Sequence, residues 1–343
     1  MTKKRVIMKD VAQKAGVHQT TVSLALRNDP RIPETTRQRI QQIAKELGYV
    51  PDPLLSSLVA YRRTSQVPLK RETIALILDV KQSQRFEEGD YLPTVVKTII
   101  ERSRELGYQV ERFQRGRDYD SVRSLERVLH ARNIHALLFG DVDNADLSYK
   151  LDWNQYSMVK ITQAPQSVPI DSVMGNYFFS ARTVMRKLKE AGVKRPALAV
   201  STAEESHTRN LSRAGFEYGQ RRHFAPEHHI PVFEFERKPV EQMNEEVYAW
   251  IAKEKPDVLL SYWNNLAIPA RRLTLEGHYC RFVCLEADEE SVQYGGIRNN
   301  FRKMAETAVE LLISKMKLNQ RGLPETPTLT LVEEKWFELG QWP

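Results

Sequence analysis

The chain has 343 residues, is 41% hydrophobic and 28% charged, and carries a formal net charge of +7. That length allows two or three domains with ample core, and no apolar run approaches the roughly 20 residues that cross a bilayer. The charge is unevenly placed: residues 1–70 hold 13 Lys and Arg against 5 Asp and Glu, and the remainder holds 38 against 39, so the whole excess is an electrostatic footprint for phosphate at the front of the chain.

The N-terminus starts basic but lacks the apolar segment of a signal peptide, so a cytoplasmic location is expected. Val11, Ala12 and Ala15 fall on one face of a short helix that Gly16 ends, in a backbone conformation Gly adopts at little cost. Val22, Ala25 and Leu26 mark one face of a second helix. Two short helices joined by a Gly-containing turn of about three or four residues form a helix-turn-helix. Ile40, Ile43, Ala44 and Leu47 give a third amphipathic helix, begun by Pro33 and Glu34 and stopped by Gly48. The face of the second helix opposite its apolar stripe shows His18, Gln19, Thr20 and Ser23, a hydrogen-bonding surface of the kind that reads base edges in a major groove. Asp52 and Pro53 then open a short segment with Leu54, Leu55 and Leu58 on one face and Arg62 after them. It is too short to be stable alone and suits a hinge that orders on DNA and presses Leu58 into a minor-groove step.

Thr64–Glu72 is polar and marks a boundary. From Thr73 the texture changes to short continuous apolar runs, Thr73–Asp79, Tyr108–Phe113, Ala136–Phe139, Pro196–Val200, Val258–Tyr262 and Arg281–Leu285, alternating with helical spacing at Val95–Leu106, Val122–Arg132, Ala181–Ala191, Val247–Lys253 and Pro269–Leu275. Such alternation means α/β units around parallel sheets, and the span is long enough for two subdomains with a cleft between them.

No catalytic constellation is present: the phosphate-loop, dinucleotide and nucleophile-elbow patterns are absent. His207, His223, His228 and His229 lack a metal spacing, and Asp288-Glu289-Glu290 reads as a solvated loop. Cys280 and Cys284, near His278, read as free core cysteines in a buried strand. No cofactor, no metal and no enzyme activity are expected.

In their order and spacing, Lys9-Asp-Val-Ala12, Ala15-Gly-Val17, Thr21-Val-Ser23, Ala25-Leu26, Thr36-Arg37 and Leu47-Gly-Tyr49-Val-Pro51 resemble the headpiece of the lac-repressor/galactose-repressor family of bacterial transcription regulators. Leu58 falls where that family carries its hinge leucine, and Arg209, Ala214-Gly-Phe216, Pro256-Asp257 and the helix Ala305–Lys317 resemble landmarks of its two-lobed body. The resemblance implies a helix-turn-helix headpiece over 1–51, a hinge helix and linker over 52–72, and a periplasmic-binding-protein-like effector and dimerisation domain over 73–343. Its lobes would comprise about 73–170 plus 289–322, and about 171–288 plus 323–343. It also implies a homodimer on a palindromic operator, a small-molecule effector such as a sugar or sugar derivative, and repression as the usual mode; the alternative is a solute-binding protein of the same fold. DNA contacts would come from His18, Gln19, Thr20, Thr21, Ser23, Asn28, Thr36 and Leu58, and effector contacts from Tyr177, Arg209, Trp263 and Asn264. Departures from the pattern are Leu24 where many members carry a guanine-reading Arg, His18 and Ile7 at the two helix caps, Leu55-Ser56 in the hinge, and Asn176-Tyr177 and Trp263-Asn264 in place of acid-containing pairs that hold sugar hydroxyls.

Overall fold

The computed structural model describes residues 7–26, 28–47, 49, 72–78, 91–140, 151–161, 168–202, 205, 208–236, 238–287 and 294–337. The hinge expectations on Asp52–Arg63, including Leu58, and those on Gly48, Pro51, His207 and Asp288–Glu290 lie outside them.

The headpiece is three helices, α1 (Met8–Ala15), α2 (Gln19–Leu26) and α3 (Glu34–Leu47). Val11, Ala12 and Ala15, Val22 and Ala25, and Ile40 and Ala44 close one small core, against which Met8, Val17, Leu26, Ile43 and Tyr49 pack. Gly16 ends α1 at φ 64°, ψ 32°, and its N–H and that of Val17 turn back onto α1 carbonyls. A Cβ at Gly16 would meet nothing within 4 Å, so the demand there is on the backbone alone. Gly16→Ala should therefore cost the headpiece about 1 kcal/mol, read as a lowered headpiece melting transition with the rest of the protein unchanged.

The body contains two six-stranded sheets. The first is built from β1 (Thr73–Leu78), β2 (Gln109–Gln114), β3 (Ala136–Phe139), β4 (Ser157–Ile161), β5 (Ser172–Gly175) and a late strand, Leu329–Val332, in the order β2-β1-β3-β4-β5-late strand, all parallel. Helices α4 (Tyr91–Glu105) and Phe301–Lys317 cover one face with Val95, Ile99, Met304, Ala308 and Leu312, and α5 (Val122–Ala131) covers the other with Leu125 and Leu129. Continuous burial of β1, β3, β4 and β5 follows from this double cover.

The second sheet repeats the plan. Strands β6 (Pro196–Ser201), β7 (Phe233–Phe235), β8 (Val258–Ser261), β9 (Arg281–Ala287) and β10 (Gly296–Arg298) run parallel in the order β7-β6-β8-β9-β10, and a last strand, Lys335–Phe337, joins β10 antiparallel. Helices α6 (Tyr177–Glu190) and α7 (Leu211–His223) cover one face, and α8 (Val240–Glu254) and α9 (Ala267–Leu275) the other. In chain order the remaining elements are α10 (Phe301–Lys317), β11 (Leu329–Val332) and β12 (Lys335–Phe337).

The chain passes between the sheets three times: from β5 to α6, from β10 to α10, and from β11 to β12. This shifts the lobe limits expected from the sequence. Ser172–Gly175 and Leu329–Val332 belong to the first sheet rather than the second, and Gly296–Arg298 to the second rather than the first. The reason is hydrogen bonding. β4 extends its ladder onto β5, β5 onto β11, and β9 onto β10, so each crossing falls at the end of a paired strand rather than before it.

Candidate nucleic-acid interface and interlobe cleft

His18, Gln19 and Thr20 are exposed together at the start of α2, with Thr21 and Ser23 half-buried behind them. His18 fills the cap position. Its carbonyl accepts from the N–H groups of Thr21 (2.9 Å) and Val22 (3.2 Å), and Nδ1 accepts from Thr20 N–H at 3.4 Å and also contacts Thr20 Oγ1. An imidazole thus does the capping that a hydroxyl or carboxylate commonly does. At α1 the cap residue Ile7 has no side-chain acceptor, and Asp10 compensates: its Oδ2 accepts the Ile7 N–H at 2.8 Å, an anion in the first turn where the helix dipole favours it. Leu24 is half-buried and Thr36 half-buried on α3.

Asn28 ends α2 at φ 58°, with its N–H on the Ala25 carbonyl. Its Oδ1 accepts from Gln41 Nε2 at 2.7 Å, and its carbonyl accepts from Asn319 Nδ2 at 2.8 Å. The α2–α3 loop is held by Asp29, which takes Arg31 in a two-pronged pair at 2.9 and 2.7 Å. The reading surface is therefore presented by a loop and two helices tied to one another, while its three exposed side chains face outward.

In the second sheet the strand order turns between β6 and β8, and crevices for ligands form beyond the carboxyl ends of strands at such a point. The segments leaving those two ends carry the sequence-predicted residues. After β6, Thr208 is buried with Oγ1 unpartnered, and Arg209, at φ 55°, has a buried Nε without a hydrogen-bond partner. After β8, Trp263 packs against the core on the α8–α9 side of the sheet, and Asn264 Oδ1 is buried without a partner. Asn176, at the first crossover, caps α6 by accepting from Phe179 N–H at 3.3 Å, and donates its own N–H to Val332 at 2.9 Å, so this residue serves the fold.

A denser cluster forms where the crossovers meet, and only Tyr177 of it was expected from the sequence. Tyr177 is buried beside Gly175, and Glu334, between β11 and β12, lies over the same glycine: a Cβ there would meet Glu334 Oε1 at 2.5 Å and the Tyr177 ring at 3.1 Å. Ser180 Oγ donates to Glu334 Oε2 at 2.6 Å, while Oε1 is buried with no partner. Burial, with Glu286 of β9 adding to it against the Ser180 hydrogen bond, pushes the Glu334 carboxyl up to about 8. Burial likewise holds the Tyr262 phenol well above its ordinary range; Ser212, its hydrogen-bond partner, opposes this, and Tyr177, Glu334 and Glu286 reinforce it. β10 and β12 pair with Arg298 opposite Lys335, which brings Asn299 alongside Glu334; both polar atoms of its amide are buried without a partner. In sequence Glu334 is one of two adjacent acids, Glu333-Glu334, and carries no local signal of this cluster.

Cys280 and Cys284 are buried and form no disulfide, and burial pushes the Cys280 thiol up to about 12. His278 meets the Pro256 carbonyl and His229 that of Phe224. Among the described residues no group of three or more His, Cys, Asp or Glu could hold a metal, and no helix is long and apolar enough to cross a membrane. A shallow hollow lined by Ala214, Glu217, Tyr218, Arg221 and Arg222 opens along α7, away from the crossovers.

The sequence profile of bacterial regulatory proteins, lacI family, matches residues 7–52. Among curated proteins the chain is similar to the HTH-type transcriptional regulator DegA of Bacillus subtilis, 27% identical over 179 residues, which cover 49% of this chain and 48% of that protein. It is similar to the HTH-type transcriptional repressor CytR of Escherichia coli K12 at 49% identity over 47 residues, 14% of each chain. The matched stretches thus span about half or less of these relatives. Among solved structures, the lac repressor dimer bound to operator and the anti-inducer ONPF overlays with a TM-score of 0.57 at 20% identity, covering 98% of both chains. The transcriptional regulator CelR in complex with cellobiose gives 0.60 at 16% identity, covering 97% of this chain and 99% of that one.

Proposed function

We propose, from the match of residues 7–52 to the lacI family of bacterial regulatory proteins, that the chain is a cytoplasmic, homodimeric transcription regulator, a repressor in its basic mode. It reads a palindromic operator, and a small effector held between the lobes adjusts its grip. The observation that carries this reading is the joint one at the headpiece: exposed His18, Gln19 and Thr20 on one helix start, within a segment that holds all of the chain's positive excess. A second copy supplies the second half-site, so operator symmetry mirrors protein symmetry. Thr21, Ser23, Asn28 and Thr36 serve as phosphate contacts, and Leu58 as the apolar wedge at the palindrome's centre.

In the body, Tyr177, Arg209, Trp263 and Asn264 take the effector, supported by the unpartnered Arg209 Nε and Asn264 Oδ1 at the ends of neighbouring strands. A regulator of this fold has been solved with cellobiose. The effector must bind the two lobe arrangements unequally to alter DNA affinity. No residue is assigned to covalent chemistry.

The test is DNA binding on palindromes selected from a random library, against random duplex. Gln19→Ala should weaken the selected site by about 1–3 kcal/mol and random duplex far less. Leu58→Ala should cut the ratio of selected to random binding by about tenfold, with the salt dependence retained. Equal losses on both duplexes, or no duplex binding at low ionic strength, would refute the reading; a solute-binding protein would give the latter.

A further inference from the structure

We propose that the junction of the three crossovers recognises a cationic nitrogen, so that the effector is an amine (an amino sugar included) rather than a neutral polyol. This rests on the regulator reading only for the word effector; the site itself stands on the geometry.

The crossovers bring together Gly175 and Tyr177 from the first, Asn299 from the second and Glu334 from the third. Glu334 Oε1 is buried without a partner, and so are both the Oδ1 and the Nδ2 of Asn299. A buried acceptor left unmade is costly, and a native fold keeps one where something else supplies the donor. A water molecule could satisfy the amide. It would leave Glu334 a carboxyl that burial keeps from ionising, and the neighbour that bears on its titration, Glu286, is another acid. An occupant with N–H donors and a positive charge would supply the counter-ion that lets this carboxyl ionise where it is buried, and a donor for the Asn299 Oδ1. The Tyr177 ring beside the carboxyl adds a face that attracts a cation and repels an anion. The absence of a side chain at Gly175 is what lets the carboxyl approach the first crossover at all.

Binding has a defined proton balance. In the empty site Glu334 holds its proton, since burial keeps it up to about 8. On arrival of an ammonium group the carboxyl ionises, its proton leaves to solvent, and the ion pair forms with no covalent change. Affinity for an amine should thus climb about tenfold per pH unit below the lower of pH 8 and the amine's own pKa, and fall once the amine itself loses its proton. The other titratable groups facing Glu334 are Glu286, Tyr262 and Tyr177. The Tyr262 phenol, held well above its ordinary range by burial, stays neutral through this window, and Glu286 strengthens the preference for a cation.

The experiment is a thermal-shift and calorimetric titration of the full-length protein with matched pairs: glucosamine against glucose, ethanolamine against ethylene glycol, and spermidine and ammonium ion against their buffer. The expected result is a stabilising shift by at least one amine, none by its neutral counterpart, the stated pH slope, and loss of both in Glu334→Gln. Asn299→Ala should weaken the amine and leave the slope. Neutral sugars that shift wild type and Glu334→Gln alike, or amines that all leave the melting transition unmoved, overturn the proposal. Wild-type protein that binds amine in this manner but no duplex would fault the regulator reading and leave this one standing.

Discussion

Ile40→Ala is expected to erase DNA binding while the α/β body keeps its own melting transition. The headpiece core consists of Val11, Ala12, Ala15, Val22, Ala25, Ile40 and Ala44. Ile40 is fully buried and the largest side chain among them. Truncating a buried Ile to Ala costs about 2–5 kcal/mol, and a unit of this size draws only about 3–5 kcal/mol from its core. The loss is therefore comparable with everything that holds the three helices together. The body is a separate case, since each of its sheets is covered on both faces by helices that contain none of these residues. Gel-shift titration on a selected palindrome and on random duplex should both fail, because the presenting scaffold is gone. Calorimetry should show one unchanged major transition. Ile40→Val, which removes one methylene, should cost about 1 kcal/mol and retain most binding. An Ile40→Ala protein that binds within severalfold of wild type would mean that the headpiece owes its fold to something other than this core.

The headpiece was legible because its signals are local. Gly16 ends α1 through a conformation that its own residue type favours, and the three apolar stripes coincide with the three buried faces. Buried parallel strands were legible for a similar reason: Thr73–Leu78, Ala136–Phe139 and Val258–Ser261 are continuous apolar runs because helices cover both sides. The crossovers were not legible. β5, β10, β11 and β12 are three or four residues each, and β11 alternates exposed with half-buried positions at a sheet edge, so no periodicity accumulates. α7 was equally obscure: it runs Leu-Ser-Arg-Ala-Gly-Phe-Glu-Tyr-Gly-Gln-Arg-Arg-His and shows only a thin apolar face. Its helical state is set by packing against α6. The cleft's acid was missed because its meaning is entirely non-local. Glu334 follows another acid, Glu333, in the chain, and only the return of the chain beside Gly175 and Ser180 makes it a buried carboxyl. Conversely, Asn176 looked like a displaced ligand-binding position and turned out to cap α6.

Glu334→Gln should raise the stability of the body at neutral and alkaline pH and leave it nearly unchanged in acid. In the unfolded chain Glu334 titrates near its ordinary value of 4.5, and in the folded protein near 8. Below about 4.5 both states hold the proton and the group contributes no pH dependence. Between about 4.5 and 8 the folded state binds more protons than the unfolded one, so stability falls as pH rises. Above about 8 both states are ionised and the loss is complete. At about 1.4 kcal/mol per unit the upper bound is about 5 kcal/mol, and water reaching the half-buried residue brings the expected gain to about 2–3 kcal/mol. Glutamine keeps the shape and can still accept from Ser180 Oγ, and its amide nitrogen cannot ionise. The measurement is the melting temperature of both proteins across this window without amine. The two curves should coincide in acid, diverge through neutrality and run parallel in base. A variant less stable than wild type at every pH would mean that Glu334 is charged and already paired in the folded protein. Repeating the series with a bound amine turns the same substitution around: wild type then gains a compensated charge that the glutamine protein cannot, and the gap between the curves should narrow or reverse. That reversal separates a carboxyl kept for a cationic ligand from one that is merely a buried acid in a hinge.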